Sequence, residues 1–159
     1  MLRDDEEKIR QLAANLDRAI EDRDVDKTVQ FFAIDCEIET VGLTLRGHDG
    51  VRKWAHWLFA HLRTVAFEPR VILVQGNLFV EEFLVRGTTR DGIAVESKQC
   101  EVLEYEGDKI RSLRIYLDRL DFAESLAANW IQKAVVKRVV RLSTEGLSQA
   151  GTKGPDGLG

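Results

Sequence analysis

The chain has little of what several large functional classes require. Basic charge is not in excess: 23 Lys and Arg stand against 27 Asp and Glu, a formal net charge of -4. Holding a phosphate backbone takes a basic field, so nucleic acid is not expected as a partner. Only two cysteines are present, Cys36 and Cys100, with no CxxC or Cys/His spacing around them. Two free buried thiols are expected rather than a disulfide or a metal site. No apolar run approaches a membrane span, so no stable membrane association is expected. The first ten residues, MLRDDEEKIR, are charged and lack the apolar segment of a secretion signal, which points to the cytoplasm. HExxH, a Gly-rich phosphate loop and GxSxG are all missing. His56 and His61 would lie about 140° apart round a helix and cannot share a metal. Neither a metal nor a cofactor is expected.

What is present is an ordinary core: 159 residues, 44% of them apolar, suit one domain. That domain is expected over 1–142, followed by a Gly-, Ser- and Thr-rich disordered tail over 143–159. The densest structural signal lies between Gly76 and Asp118, where strand-like runs are separated by Asp91-Gly92 and by Glu106-Gly107-Asp108. Asp-Gly between β-rich runs predicts a type I′ hairpin, whose two central residues both need φ > 0. With a preceding run from Val65 to Gln75, these strands form a four-strand antiparallel meander.

Three helices are predicted before the meander. Ile9, Leu12, Ala13, Leu16 and Ile20 form one apolar stripe between Asp4 and Asp22. Val25, Val29 and Phe32 mark a short second helix capped by Asp24. Val51, Trp54, Ala55, Leu58 and Leu62 give a third from His48 to Arg63. Between the second and third, Cys36–Val41 reads as a short strand and Gly42–Gly47 as a loop. A final helix is expected from Asp121 through Trp130 to about Leu142, its second half a basic amphipathic piece of a kind that binds membrane surfaces or partner helices, or, more often, packs on its own protein or on a partner copy.

Along Leu78–Arg86, one face carries Phe79, Glu81, Phe83 and Val85; the other carries Leu78, Val80, Glu82, Leu84 and Arg86. Both faces are largely apolar, so neither is simply solvated. Helices cover one, and a second copy of the chain is the expected cover for the other: a homodimer. Trp54, Trp57 and His61 share a flank of the third helix. Either the tryptophans plug the core with His61 a partly exposed neighbour, or all three line a pocket wall that offers aromatic faces and one titratable group.

The order of elements resembles the nuclear transport factor 2-like fold in its SnoaL-like branch. The residues that carry the resemblance are Gly107, Lys109 and Ile110, then Arg114, Tyr116 and Asp118, within GDKIRSLRIYLDRLDF. Phe31-Phe32-Ala33 before Asp35, and Leu45-Arg46-Gly47 opening the third helix, add to it. It spans Glu6 to Leu126. It implies an α+β, cone-shaped fold: three N-terminal helices on a curved antiparallel sheet, plus a C-terminal helix, with a pocket between layers. The family hosts isomerases, cyclases, epoxide hydrolases, dehydratases and non-catalytic binders, so fold alone names no reaction.

Residue by residue, the resemblance removes several activities. Positions matching the water-activating set of limonene-epoxide hydrolase hold Ile115, Glu82, Leu84, Ile38 and Thr40, none with the required group. Those matching ketosteroid isomerase hold Thr40, Leu16 and Glu101, of which only Glu101 keeps a carboxyl. In the polyketide-cyclase pattern the inward slot of the last strand is Ile115, and Asp118 falls on the opposite face.

Glu82 and Glu101 remain as the expected pocket carboxyls, with Val80, Leu84, Leu103 and Ile115 around them. Burial would raise their pKa into a range useful for acid/base work. Alternatively, each pairs with Arg86 or Arg114, or reaches solvent. The catalytic candidates are therefore Glu101, Glu82 and His61; the substrate-contacting candidates are Trp54, Trp57, Leu84 and Ile115. Two readings stay open. One is a cofactor-independent isomerase, cyclase or dehydratase acting on a hydrophobic small molecule. The other is a non-catalytic ligand-binding or dimeric assembly protein.

Overall fold

In the computed structural model of the chain, residues 2–121, 123, 130–143 and 145 are described. Two compact units are distinguished, Met1–Arg119 and Leu120–Gly159. The first contains α1 (Leu2–Glu21), α2 (Val25–Gln30), β1 (Phe32–Thr40), β2 (Leu43–Arg46), α3 (Gly47–His61), β3 (Leu62–Gln75), β4 (Leu78–Thr89), β5 (Ala94–Glu106) and β6 (Lys109–Leu117). In the second, α4 (Trp130–Ser143) is described, with Val135, Val139 and Leu142 exposed. The first part of the predicted last helix, and the tail beyond Glu145, lie outside the described residues.

The six strands form one curved, open sheet in the order β2-β1-β6-β5-β4-β3. The predicted meander is β3 to β6. It is extended by β1, which pairs with β6 in parallel, and β2, which pairs with β1. The sheet is therefore mixed at one ladder rather than wholly antiparallel. The segment expected as a loop after Val41 is instead strand β2. It is joined to β1 by a tight turn in which both Val41 (φ 46) and Gly42 (φ 78) are left-handed. A β-branched residue in that region is unusual and strained, and is held there by the hairpin around it.

Of the α1 stripe, Ile9, Ala13, Leu16 and Ile20 are buried and Leu12 is half-buried; Ala19 is buried beside them. Its far end is fastened to β3, where the Phe67 N–H donates to Glu21 Oε1 at 2.8 Å. Helix α3 stops where Leu62 turns extended. The carbonyls left over at its C-terminus are taken up by two guanidinium groups. Arg23 donates to Phe59 O at 2.9 Å and to Leu62 O, and Arg90 donates to Ala60 O at 2.9 Å. The two cysteines are free, Cys36 buried and Cys100 half-buried.

The helix-facing side of the sheet is built in rows. One row is Val74, Phe79, Leu103, Leu113 and Ile38, paired strand to strand, and its last four members are buried. The next row is Ile72, Glu81, Glu101 and Ile115. That second row places carboxyls where the first has only hydrocarbon.

Candidate functional site

Glu81 and Glu101 are direct partners across the β4–β5 ladder, so their side chains leave the same face of the sheet. Both are buried, at 3% and 8% exposure. Asp17 on α1, one position past the buried Leu16, is close enough to act electrostatically on Glu101 and to feel Glu81 in turn. Burial is the main cause of every shift in this group. It raises Asp17 to about 8, with Glu81 and Glu21 adding to it. It raises Glu81 to about 7. It pushes Glu101 well above the usual carboxylate range, helped by Asp17 and Glu81. Tyr105, two alternations along β5 from Glu101, is 3% exposed. Its buried hydroxyl has no hydrogen-bond partner among the described residues. Burial, and then the fields of Glu101, Asp17 and Glu81, push its pKa up.

Near neutral pH such a cluster holds protons and negative charge together, as like charges in a desolvated site share rather than all ionise. The arginines considered as partners are engaged elsewhere. Arg86 bonds Glu68 and Glu96, the latter at 2.9 Å, and Arg114 donates to Ser112 Oγ at 3.5 Å. Among the described residues, no group of three or more His, Cys, Asp or Glu side chains is arranged to hold a metal ion.

Of the residues expected at the site, the structure brings together Glu101 and Ile115. Glu82 is a correction: it is exposed and lies on the outer face, in a row with Val71, Cys100 and Tyr116. The cause is one residue of hairpin register. A two-residue turn at Asp91-Gly92 would set Glu82 opposite Glu101. The actual loop holds three residues between Thr89 and Ile93, with only Gly92 left-handed (φ 81). The added residue moves the pairing to Glu81, because a one-residue slip exchanges the two faces of a strand.

Leu84 is likewise on the outer side with Glu82 and Arg86, though buried. Trp54 is buried in the core at 7% exposure, whereas Trp57 is 44% exposed. His61 packs against Trp57, with ring centroids 5.2 Å apart and planes tilted by 49°, and its Nδ1 lies 2.8 Å from Trp57 O. It closes α3 next to Leu62, which pairs with Thr89. Thr89 is eight residues along β4 from Glu81, about 26 Å of strand. His61 and Trp57 therefore form a separate surface feature and not a wall of the carboxyl site.

Asp17, Glu81 and Tyr105 were not singled out in the sequence. The signal for Glu81 was its place in the set Phe79, Glu81, Phe83 and Val85. For Asp17, a helix position beside an apolar stripe, and for Tyr105, a place near the end of a strand, gave no comparable sign.

Two open grooves of about 330 Å³ are described. One is lined by Asp5, Lys8, Ile9, Leu12, Tyr105 and Asp108, among others. The other lies by the strained turn and includes Thr40, Val41, Arg114 and Ile115. The cluster adjoins each through one residue, Tyr105 and Ile115.

The model of the SnoaL-like domain family matches residues 13–113, and the chain belongs to that family. No curated protein matches the chain. Among solved structures, SalBIII, an epoxide hydrolase/cyclase-like enzyme in pyran ring formation in the polyether salinomycin, superposes with a TM-score of 0.65 at 23% identity, over 74% of this chain and 95% of its own. TerC, co-crystallised with polyporic acid, has a TM-score of 0.66 at 18% identity, covering 74% and 96%. A protein of unknown function from Burkholderia pseudomallei, similar to nuclear transport factor 2, has a TM-score of 0.69 at 19% identity, covering 76% and 98%. At these identities the likeness concerns the fold.

Proposed function

We propose that the chain is a cofactor-independent acid/base catalyst of the isomerase, cyclase or dehydratase kind, acting on a hydrophobic small molecule. The supporting observation is the Glu81–Glu101 pair, directly opposed on a buried face under α1 and carrying no basic partner among the described residues. An ionised member of the cluster takes a proton from carbon next to a carbonyl. A protonated member gives one to the developing oxygen, and the proton returns at a second carbon. No redox change and no cofactor enter this sequence. The test is a thermal-shift screen of steroids, terpenoids and aromatic polyketides on wild type, Glu81→Gln and Glu101→Gln. A compound that stabilises wild type more than both variants supports the reading; a screen with no such compound removes it.

A second reading, a non-catalytic ligand-binding or assembly protein, is favoured by one observation. Neither described groove has Glu81 or Glu101 in its lining. Assembly fits the outer face, where Val71, Leu73, Leu78 and Tyr116 are exposed at 49, 63, 36 and 57%. Val71, Leu73 and Leu78 lie on the adjoining strands β3 and β4, with Tyr116 beyond β5 on the same face, and together they are the kind of apolar surface that a second copy covers. A homodimer at micromolar concentration that Leu73→Asp converts to monomer in sedimentation is the expected result; a wild-type monomer would contradict it.

A further inference from the structure

We infer that the carboxyl cluster recognises a positively charged amine, so that the molecule taken by this site is an apolar compound bearing an ammonium group. The inference rests on the reading of the cluster as the functional site and specifies its ligand. Five elements face the carboxyls, and none offers a cation among the described residues. α1 presents Asp17, β4 presents Glu81, and β5 presents Glu101 and Tyr105. From β3 and β6 the same row ends in Ile72 and Ile115. Buried carboxylates are normally paired, because an isolated buried charge is costly. Here the three answer burial by holding protons, and an ammonium group entering from outside would supply the counter-ion that lets them ionise.

The second observation is independent of the acids. Tyr105 is nine-tenths buried and more, its hydroxyl is unpartnered, and it lies within the field of all three carboxyls. A phenol oxygen can accept a hydrogen bond from an ammonium group, which has donors and no acceptor. The carboxylates would take its other N–H donors through short, charge-assisted bonds.

The surroundings suit the rest of such a ligand. Tyr105 also belongs to the wall of the groove at the N-terminal half of α1, whose apolar members are Ile9 and Leu12. At about 330 Å³ this groove is at the small end of ligand sites. Its rim carries Asp5, Glu6 and Asp108 against a single lysine, Lys8, which is itself bonded to Asp108 at 2.5 Å. An acidic rim attracts cations and repels carboxylates.

The experiment compares matched pairs by calorimetry: hexylamine, cyclohexylmethylamine and tryptamine against hexanol, cyclohexylmethanol and tryptophol. The amines are expected to bind at least about tenfold more tightly at pH 8. Their affinity should fall as pH is lowered to 6 and the cluster takes up protons, while that of the alcohols stays level. Glu101→Gln and Glu81→Gln should each remove most of the amine preference, and Glu82→Gln none of it. Asp17→Asn, on the helix rather than in the sheet, gives the same information if a sheet variant fails to fold. Alcohols that bind as tightly as amines, with binding sensitive to Glu101→Gln, would overturn the ammonium inference and leave the acid/base reading intact. No binding by either series would overturn both. Amine binding unchanged in Glu81→Gln, Glu101→Gln and Asp17→Asn would place the amine elsewhere and overturn the inference.

Discussion

Strands β4 and β5 have two sides, and each carries acids; the two sets behave in opposite ways. On the helix-facing side, Glu81 and Glu101 are buried, unpaired among the described residues and raised in pKa. On the outer side, Glu82 is exposed, and Glu96 bonds Arg86 at 2.9 Å. Side-chain chemistry is the same on both sides. The difference comes from the helix layer, which removes water from one face and leaves it at the other. A carboxylate is a solvation problem first, and its role follows from which side of the pleat it leaves.

That contrast can be broken or sharpened by measurement. The largest effect is expected from the hydrocarbon beside the buried acids. Leu103 has 0% exposure in the row next to Glu101. Leu103→Ala should cost about 3 kcal/mol in urea unfolding, whereas trimming the outer-face Leu73, 63% exposed, should change monomer stability by less than about 0.5 kcal/mol. Equal losses would mean that the faces are not distinct.

The acids come next. Folded-state pKa values of about 7 for Glu81 and about 8 for Asp17 lie above their unfolded values. Between those limits the native state binds more protons than the unfolded state. The stability these groups contribute is therefore complete below about pH 4 and is lost as pH rises to about 8. Glu101→Gln should raise stability at alkaline pH and flatten the decline, because burial makes ionisation of the Glu101 carboxyl costly and the amide cannot ionise. Glu82→Gln should shift it by less than about 0.5 kcal/mol at any pH. A pH profile unchanged by Glu101→Gln would show that the inner acids are solvated like the outer ones.

The smallest effect concerns a third region, the β1–β2 turn. Val41→Asn relieves the left-handed strain at φ 46, and Asn-Gly is the favoured pair for a type I′ turn. Thermal unfolding should show a gain of about 1 kcal/mol. A loss would mean that the valine makes packing contacts worth more than its strain.

Much of this architecture could be read in advance from local pattern. The apolar stripe from Ile9 to Ile20 needs only helical periodicity, and the turns at Gly76, Gly92 and Gly107 need only the scarcity of residues that tolerate φ > 0. The alternation along β4 correctly separated Phe79, Glu81, Phe83 and Val85 from their neighbours. The pairing partner of Glu101 was not legible, since it hangs on whether the Asp91-Gly92 loop holds two residues or three. The β1–β6 pairing joins segments about 75 residues apart, and no nearby pattern announces it.

Sequence alone, then, determined the helices and the four-strand meander, though not strand β2, and the family to which their order belongs, because those depend on neighbours along the chain. Tertiary structure decided that Asp17, Glu81, Glu101 and Tyr105 form one dry cluster while Glu82, His61 and Trp57 stand apart from it. Desolvation depends on what covers a side chain, and the cover here comes from a helix more than sixty residues away in the chain.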